Sequence, residues 1–168
     1  MNATEAARLS LACLDLTSLN DADTEADIAR LCERARAQIG PVAAVCVWPR
    51  LAAFARSQLP AHIGVAAVAN FPDGSTDVER AVRDTSEIVQ AGAPEVDVVL
   101  PWRALQAGDE AAVAAVLRSV RRACEGLTLK VILESGELGA AGDTALITRA
   151  SRLALAEGAD FLKTSTGK

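Results

Sequence analysis

The chain has 168 residues, of which 51% are apolar and 23% charged, with a net charge of −5. That composition supports an ordinary hydrophobic core in one domain over residues 1–168 and excludes the disordered and fibrous classes. The basic residues are scattered apart from Arg118, Arg121 and Arg122, so there is no nucleic-acid footprint. No apolar run approaches the roughly 18 residues a membrane span needs, and residues 1–10 carry Glu5 and Arg8 instead of a basic leader, so a soluble cytoplasmic protein is expected.

Taken in chain order, the first apolar run is a predicted strand at residues 13–18, with Asp15 and Thr17 on one of its faces. Thr24, with Asp27 three residues on, opens a helix striped by Ile28, Leu31, Cys32, Ala35 and Ile39. A second strand at 43–48 leads into a short helix at 51–59, and a third strand follows at 64–71. Thr76 with Glu79 opens the next helix, whose stripe runs through Val78, Ala81, Val82, Thr85, Ile88 and Val89. Gly92-Ala93 then marks a helix-to-strand turn into a strand at 95–101 that carries Asp97. Val113, Val116, Leu117, Val120 and Cys124 define another helix, and Lys130 and Glu134 lie on a strand at 129–135. A last helix, striped by Leu146, Ile147, Ala150 and Leu153, ends at Gly158-Ala159, before a strand at 161–166 bearing Lys163 and Ser165.

A strand plus a helix recurs about every 30 residues, and such alternation implies a parallel sheet. An open doubly wound sheet and a (β/α)8 barrel both satisfy it. In an open sheet covered by helices on both sides the strands are apolar on both faces. Here the strands send Asp15, Thr17, Asp97, Lys130, Glu134, Lys163 and Ser165 one way and their apolar residues the other, which fits a barrel interior with a polar mouth. The Gly-x-Gly-x-x-Gly signature of a dinucleotide site is absent as well. The fold class is therefore α/β of the (β/α)8 TIM-barrel type. Such barrels run to about 250 residues; six βα units are legible, so two are expected to be missing.

Cys13, Cys32, Cys46 and Cys124 are widely spaced and sit in apolar patterns, as buried free thiols of a reducing compartment do. With His62 as the sole histidine, a zinc site has too few partners. There is no tyrosine to act as acid or base. The strongest chemical signal is Lys163. A lysine following Phe161 and Leu162 in a strand costs several kcal/mol to bury unless it pairs or loses its proton, and a neutral amine is what carbonyl chemistry uses. A nearby carboxylate would raise its pKa and burial would lower it, so a second cation is needed to favour the free amine. Lys130, read as lying at the start of its strand, is expected to be structural, and Cys46 is expected to be a core thiol. Glu134 and Asn70 stay open between structural and functional readings.

The segments Asp15-Leu16-Thr17-Ser18-Leu19-Asn20, Glu95-Val96-Asp97-Val98-Val99, Lys130-Val131-Ile132-Leu133-Glu134-Ser135-Gly136 and Phe161-Leu162-Lys163-Thr164-Ser165-Thr166-Gly167-Lys168, together with Cys46-Val47-Trp48-Pro49-Arg50 and Asn70-Phe71-Pro72, resemble deoxyribose-phosphate aldolase along almost the whole chain. The resemblance implies a class I aldolase with no cofactor and no metal. It would cleave 2-deoxy-D-ribose 5-phosphate reversibly to D-glyceraldehyde 3-phosphate and acetaldehyde through a lysine Schiff base. It assigns the Schiff base to Lys163, the proton-shuttling carboxylate to Asp97, and the surrounding polar network to Asp15 and Thr17. Substrate binding falls on Thr166, Gly167, Lys168 and Asn20. The family's second lysine and its last phosphate loops have no counterpart among these residues. The alternative is a catalytically silent partial barrel that self-associates or needs a C-terminal half. The implied partners are a phosphorylated sugar, acetaldehyde and a second copy in a homodimer, with neither nucleic acid nor membrane.

Overall fold

The computed structural model describes residues 1–36, 40–140 and 144–168. Its elements run α1 (Ala3–Ala12), β1 (Asp15–Thr17), α2 (Glu25–Ala35), β2 (Ala44–Val47), α3 (Pro49–Gln58), β3 (Gly64–Ala69), α4 (Val78–Gln90), β4 (Glu95–Val99), α5 (Trp102–Gln106), α6 (Glu110–Ala123), β5 (Thr128–Ile132), α7 (Ser135–Leu138), α8 (Ala145–Ala156) and β6 (Phe161–Lys163). The strands form one parallel sheet in the order β1-β2-β3-β4-β5-β6. Lys130 on β5 nevertheless reaches Asp15 on β1 at 2.7 Å. In a flat sheet these two strands would be about 19 Å apart at the usual spacing, so the sheet must curl into a half-barrel. The expected barrel-type architecture is what the chain adopts.

The curl separates two apolar layers. Val45, Val47, Val65, Val96, Val98, Leu129 and Val131 point outwards and pack with Ile28, Leu31, Ile88, Val116, Leu117 and Val120 of the helices. Fully burying each such side chain stabilises the fold by about 1.5–3 kcal/mol; Leu117, at 0% exposure, would cost roughly 2–5 kcal/mol as alanine. Cys46, Ala66, Val68, Val99 and Ile132 line the concave face with Leu19 and Phe71. Trp48 and Phe71 meet edge to face, with ring centroids 5.4 Å apart. Among the described residues no helix is long and apolar enough to cross a membrane.

The helix ends show local chemistry at work. Thr24 and Asp27 form the anticipated capping box. The cap of α4 is Asp77 and not Thr76: its carboxylate accepts from the backbone N–H of Arg80, while Ser75 Oγ accepts from its own N–H. Gly158 stops α8 at φ 93, and a Cβ there would lie 2.9 Å from Arg121 Cδ, so this turn favours glycine twice over. Ile39, placed on the α2 stripe from sequence, lies outside the described residues. Helix α1 was not foreseen: it buries no residue and is held by a capping box between Asn2 and Glu5.

Candidate active site

Inside the half-barrel, strand register stacks charged side chains in adjacent layers. Asp97 pairs in register with Lys130, and Lys163 sits one inward position above the residue that pairs with Lys130. Asp97 is fully buried. Its Oδ2 accepts from Lys163 Nζ at 2.5 Å and faces Cys46 Sγ at 3.6 Å. Among the described residues its Oδ1 has no hydrogen-bond partner, with Lys130 Nζ 3.8 Å away. Lys130 in turn binds Asp15 Oδ2 at 2.7 Å and Glu95 Oε2 at 2.5 Å, and the same Asp15 oxygen lies 3.5 Å from Lys163 Nζ. Lys163, ending β6, keeps 27% of its side chain exposed; Lys130, deeper and mid-strand, keeps 9%. Asp15, Asp97 and Lys163, picked out from sequence, are thus brought together. Thr17 sits on the same face of β1, its hydroxyl donating to the Asp15 carbonyl oxygen at 3.1 Å.

In the charge balance around Lys163 the neighbouring groups outweigh burial. Burial pushes the Lys163 ammonium down, but Asp97, Cys46 and Asp15 together push it further up, so the amine is held above the ordinary lysine range and carries its proton in this arrangement. Burial likewise opposes the charge on Lys130, and Asp97, Asp15 and Glu95 outweigh it. Cys46 goes the other way: burial, then the Asp97 carboxylate, push its thiol far up, as suits an inert core thiol.

Two residues escaped the sequence reading. The apolar pattern places Lys130 at the start of a strand, away from the chemistry; it is instead the third of five residues of β5 and faces the interior. Glu95 was not singled out, although it lies two residues before Asp97 and so must share its face. The alternation carried that signal.

The substrate-binding candidates occupy the loops that follow the strands. Thr166 and Lys168 line a cavity of about 240 Å³ with Asp73, Trp102, Arg103 and Glu137. Gly167 adopts φ 76 between them. Glu134, itself left-handed at φ 55, accepts the Thr166 backbone N–H and so ties the end of β5 to the end of β6. Asn20 is not in that cavity. Its amide donates to Asp23 Oδ1 at 3.0 Å and its carbonyl accepts from Trp48 Nε1 at 3.0 Å, while Arg50 donates to the carbonyls of Asp21 and Asp23, pinning the β1–α2 loop. Burial would raise Asp23, but hydrogen bonds from Asn20 and Ser18 hold it below the ordinary carboxylate range. Asn70 resolves to a structural role: fully buried at φ 54, it donates to the carbonyls of Ser75 and Val99 and fixes the β3–α4 loop.

A curled parallel sheet with a buried lysine–carboxylate cluster on its concave face defines a barrel-type α/β protein whose reactive groups lie inside the sheet. The DeoC/LacD family aldolases match residues 9–168, and the chain belongs to that family. It is 51% identical over 167 residues to the deoxyribose-phosphate aldolase of Agrobacterium fabrum (strain C58), covering 98% of this chain and 63% of that protein. The crystal structure of a candidate deoxyribose-phosphate aldolase from Coccidioides immitis superposes with a TM-score of 0.86 at 32% identity, over 95% of this chain and 62% of that one. One from Toxoplasma gondii ME49 gives 0.87 at 28%, over 98% and 62%. The chain therefore spans less than two thirds of the length of each of these relatives.

Proposed function

We propose that this chain carries the imine-forming site of an aldolase acting reversibly on 2-deoxy-D-ribose 5-phosphate. The observation that carries the reading is the 2.5 Å contact between Lys163 Nζ and the fully buried Asp97; the names of the relatives supply the substrate. Lys163 first passes a proton to Asp97, and its lone pair adds to the C1 aldehyde of the open-chain sugar. Loss of water from the carbinolamine leaves an iminium. Because one product has two carbons, the bond that breaks is C2–C3. The C3 hydroxyl gives up its proton, its C–O becomes the new aldehyde of glyceraldehyde 3-phosphate, and the C2–C3 electron pair moves onto the iminium to form an enamine. Protonation of the enamine carbon and hydrolysis release acetaldehyde and return the amine. Asp97 is the proton carrier throughout, Asp15 completes the anionic wall 3.5 Å from Lys163, and Thr17 extends that wall towards the mouth. Gly167 offers its backbone N–H, Thr166 its hydroxyl and Lys168 its positive charge to the phosphate, and Asn20 is assigned to the loop after β1.

The test is reductive trapping with acetaldehyde and cyanoborohydride, followed by peptide mass mapping. The chain has three lysines, Lys130, Lys163 and Lys168. Ethylation concentrated on Lys163 is the expected outcome; equal labelling of Lys163 and the exposed Lys168, or none at Lys163, contradicts it.

A further inference from the structure

Five ionisable groups share the concave face around Lys163: Asp15 from β1, Cys46 from β2, Glu95 and Asp97 from β4, and Lys130 from β5. Three are carboxylates, so Lys163 sits in an anionic enclosure that favours its proton. The enclosure nevertheless contains one opposing charge. Lys130 Nζ touches Asp15 and Glu95 and stands 3.8 Å from the Asp97 oxygen that no hydrogen bond satisfies. Gly64 leaves room for the Glu95 carboxylate beside it, since a Cβ there would lie 2.6 Å from Glu95 Oε1. Ion pairs this deep add little net stability over an apolar filling, and a fully buried carboxylate oxygen without a hydrogen bond is a feature that native interiors rarely keep.

We propose that Lys130 is a positioning residue for Lys163: clamped by Asp15 and Glu95, its fixed ammonium orients Asp97 and offsets the anionic charge that would otherwise lock the proton on the imine-forming amine. This rests on the imine-forming reading of Lys163. Lys130 plays the part of a second cation from within this chain. Its nitrogen and that of Lys163 flank one Asp15 oxygen, at 2.7 and 3.5 Å, so they cannot be more than about 6 Å apart. At an effective dielectric of about 20, a unit charge at that distance moves a neighbouring titration by about two pH units, and side-chain relaxation brings this to roughly one to two. The same logic gives Glu95 the opposite sign.

The experiment is the pH dependence of acetaldehyde labelling at Lys163 in the 168-residue chain and in its Lys130→Met and Glu95→Gln variants, with circular dichroism verifying the fold of each. The labelling midpoint is expected to rise by one to two units in Lys130→Met and to fall in Glu95→Gln. Identical midpoints in all three proteins, with Lys163 labelled in each, would make Lys130 merely structural and overturn the proposal. If Lys130→Met does not fold, an unmoved midpoint in Glu95→Gln overturns it alone. No labelling of Lys163 in the unchanged chain at any pH overturns the imine-forming reading itself, and with it this one.

Discussion

Replacing Asp97 with asparagine removes one negative charge and almost no volume from the centre of the site. The structure makes the consequences two-sided. Asp97 is fully buried and its Oδ2 lies 2.5 Å from Lys163 Nζ. At an effective dielectric of about 20 a pair this close is worth roughly 6–7 kcal/mol before desolvation, and removal of one partner from a buried pair is measured at about 3–5 kcal/mol. Lys163 keeps Asp15 at 3.5 Å and is partly exposed, which brings the expected loss to about 2–3 kcal/mol. The amide also points N–H donors towards Lys130, which has none to accept. For a chain of this length that loss lowers the melting temperature by roughly 5–10 °C. The same energy releases the Lys163 proton more readily, moving its labelling midpoint down by about two pH units. Thermal unfolding and pH-dependent trapping on one sample read both. An unchanged melting temperature with an unmoved midpoint, or a midpoint that rises, would refute the reasoning.

Gly64→Ala must shift the Glu95 carboxylate beside Lys130, because the added Cβ lies 2.6 Å from Glu95 Oε1 and 3.2 Å from Ala44 Cβ; as that carboxylate ends a flexible side chain, a loss of about 1 kcal/mol in denaturant unfolding is expected, and a stabilising result would contradict the close fit. Lys163 and Lys130 are both raised in the fold. The stability they contribute is therefore complete below about pH 10.4, the ordinary lysine value, and lost as pH climbs through their raised values. Unfolding curves collected from pH 8 to 12 should show a decline confined to the alkaline end, and Asp97→Asn should flatten it. Cys13 is exposed whereas Cys32, Cys46 and Cys124 are buried, so a disulfide-exchange reagent should titrate one thiol quickly and the other three only on unfolding; fast reaction of Cys46 would contradict the packing around Asp97.

The faces of the strands were legible because charge alternates along them: Asp15 and Thr17 around Leu16, and Lys163 beside Leu162, fix which side is the interior. Register was not, and register decides what Lys130 does. The apolar pattern runs on through Leu133, whose N–H does bond Lys163 O across the sheet; the strand nevertheless runs from Thr128 to Ile132, which shifts Lys130 to mid-strand. Short helices were missed where no apolar stripe could accumulate, as in α5 with five residues and α7 with four. The proton on Lys163 was beyond the sequence too, since it depends on how close two carboxylates, Asp15 and Asp97, approach from two other strands.

The central claim is that Lys163 forms an enamine with acetaldehyde inside the half-barrel, and the most direct measurement is deuterium uptake by acetaldehyde in heavy water, followed by proton NMR. Each passage through iminium and enamine exchanges a methyl proton for a deuteron without any need for a phosphorylated partner. Methyl signal loss well above that of a Lys163→Met variant is the predicted result; equal rates for the two proteins would contradict it.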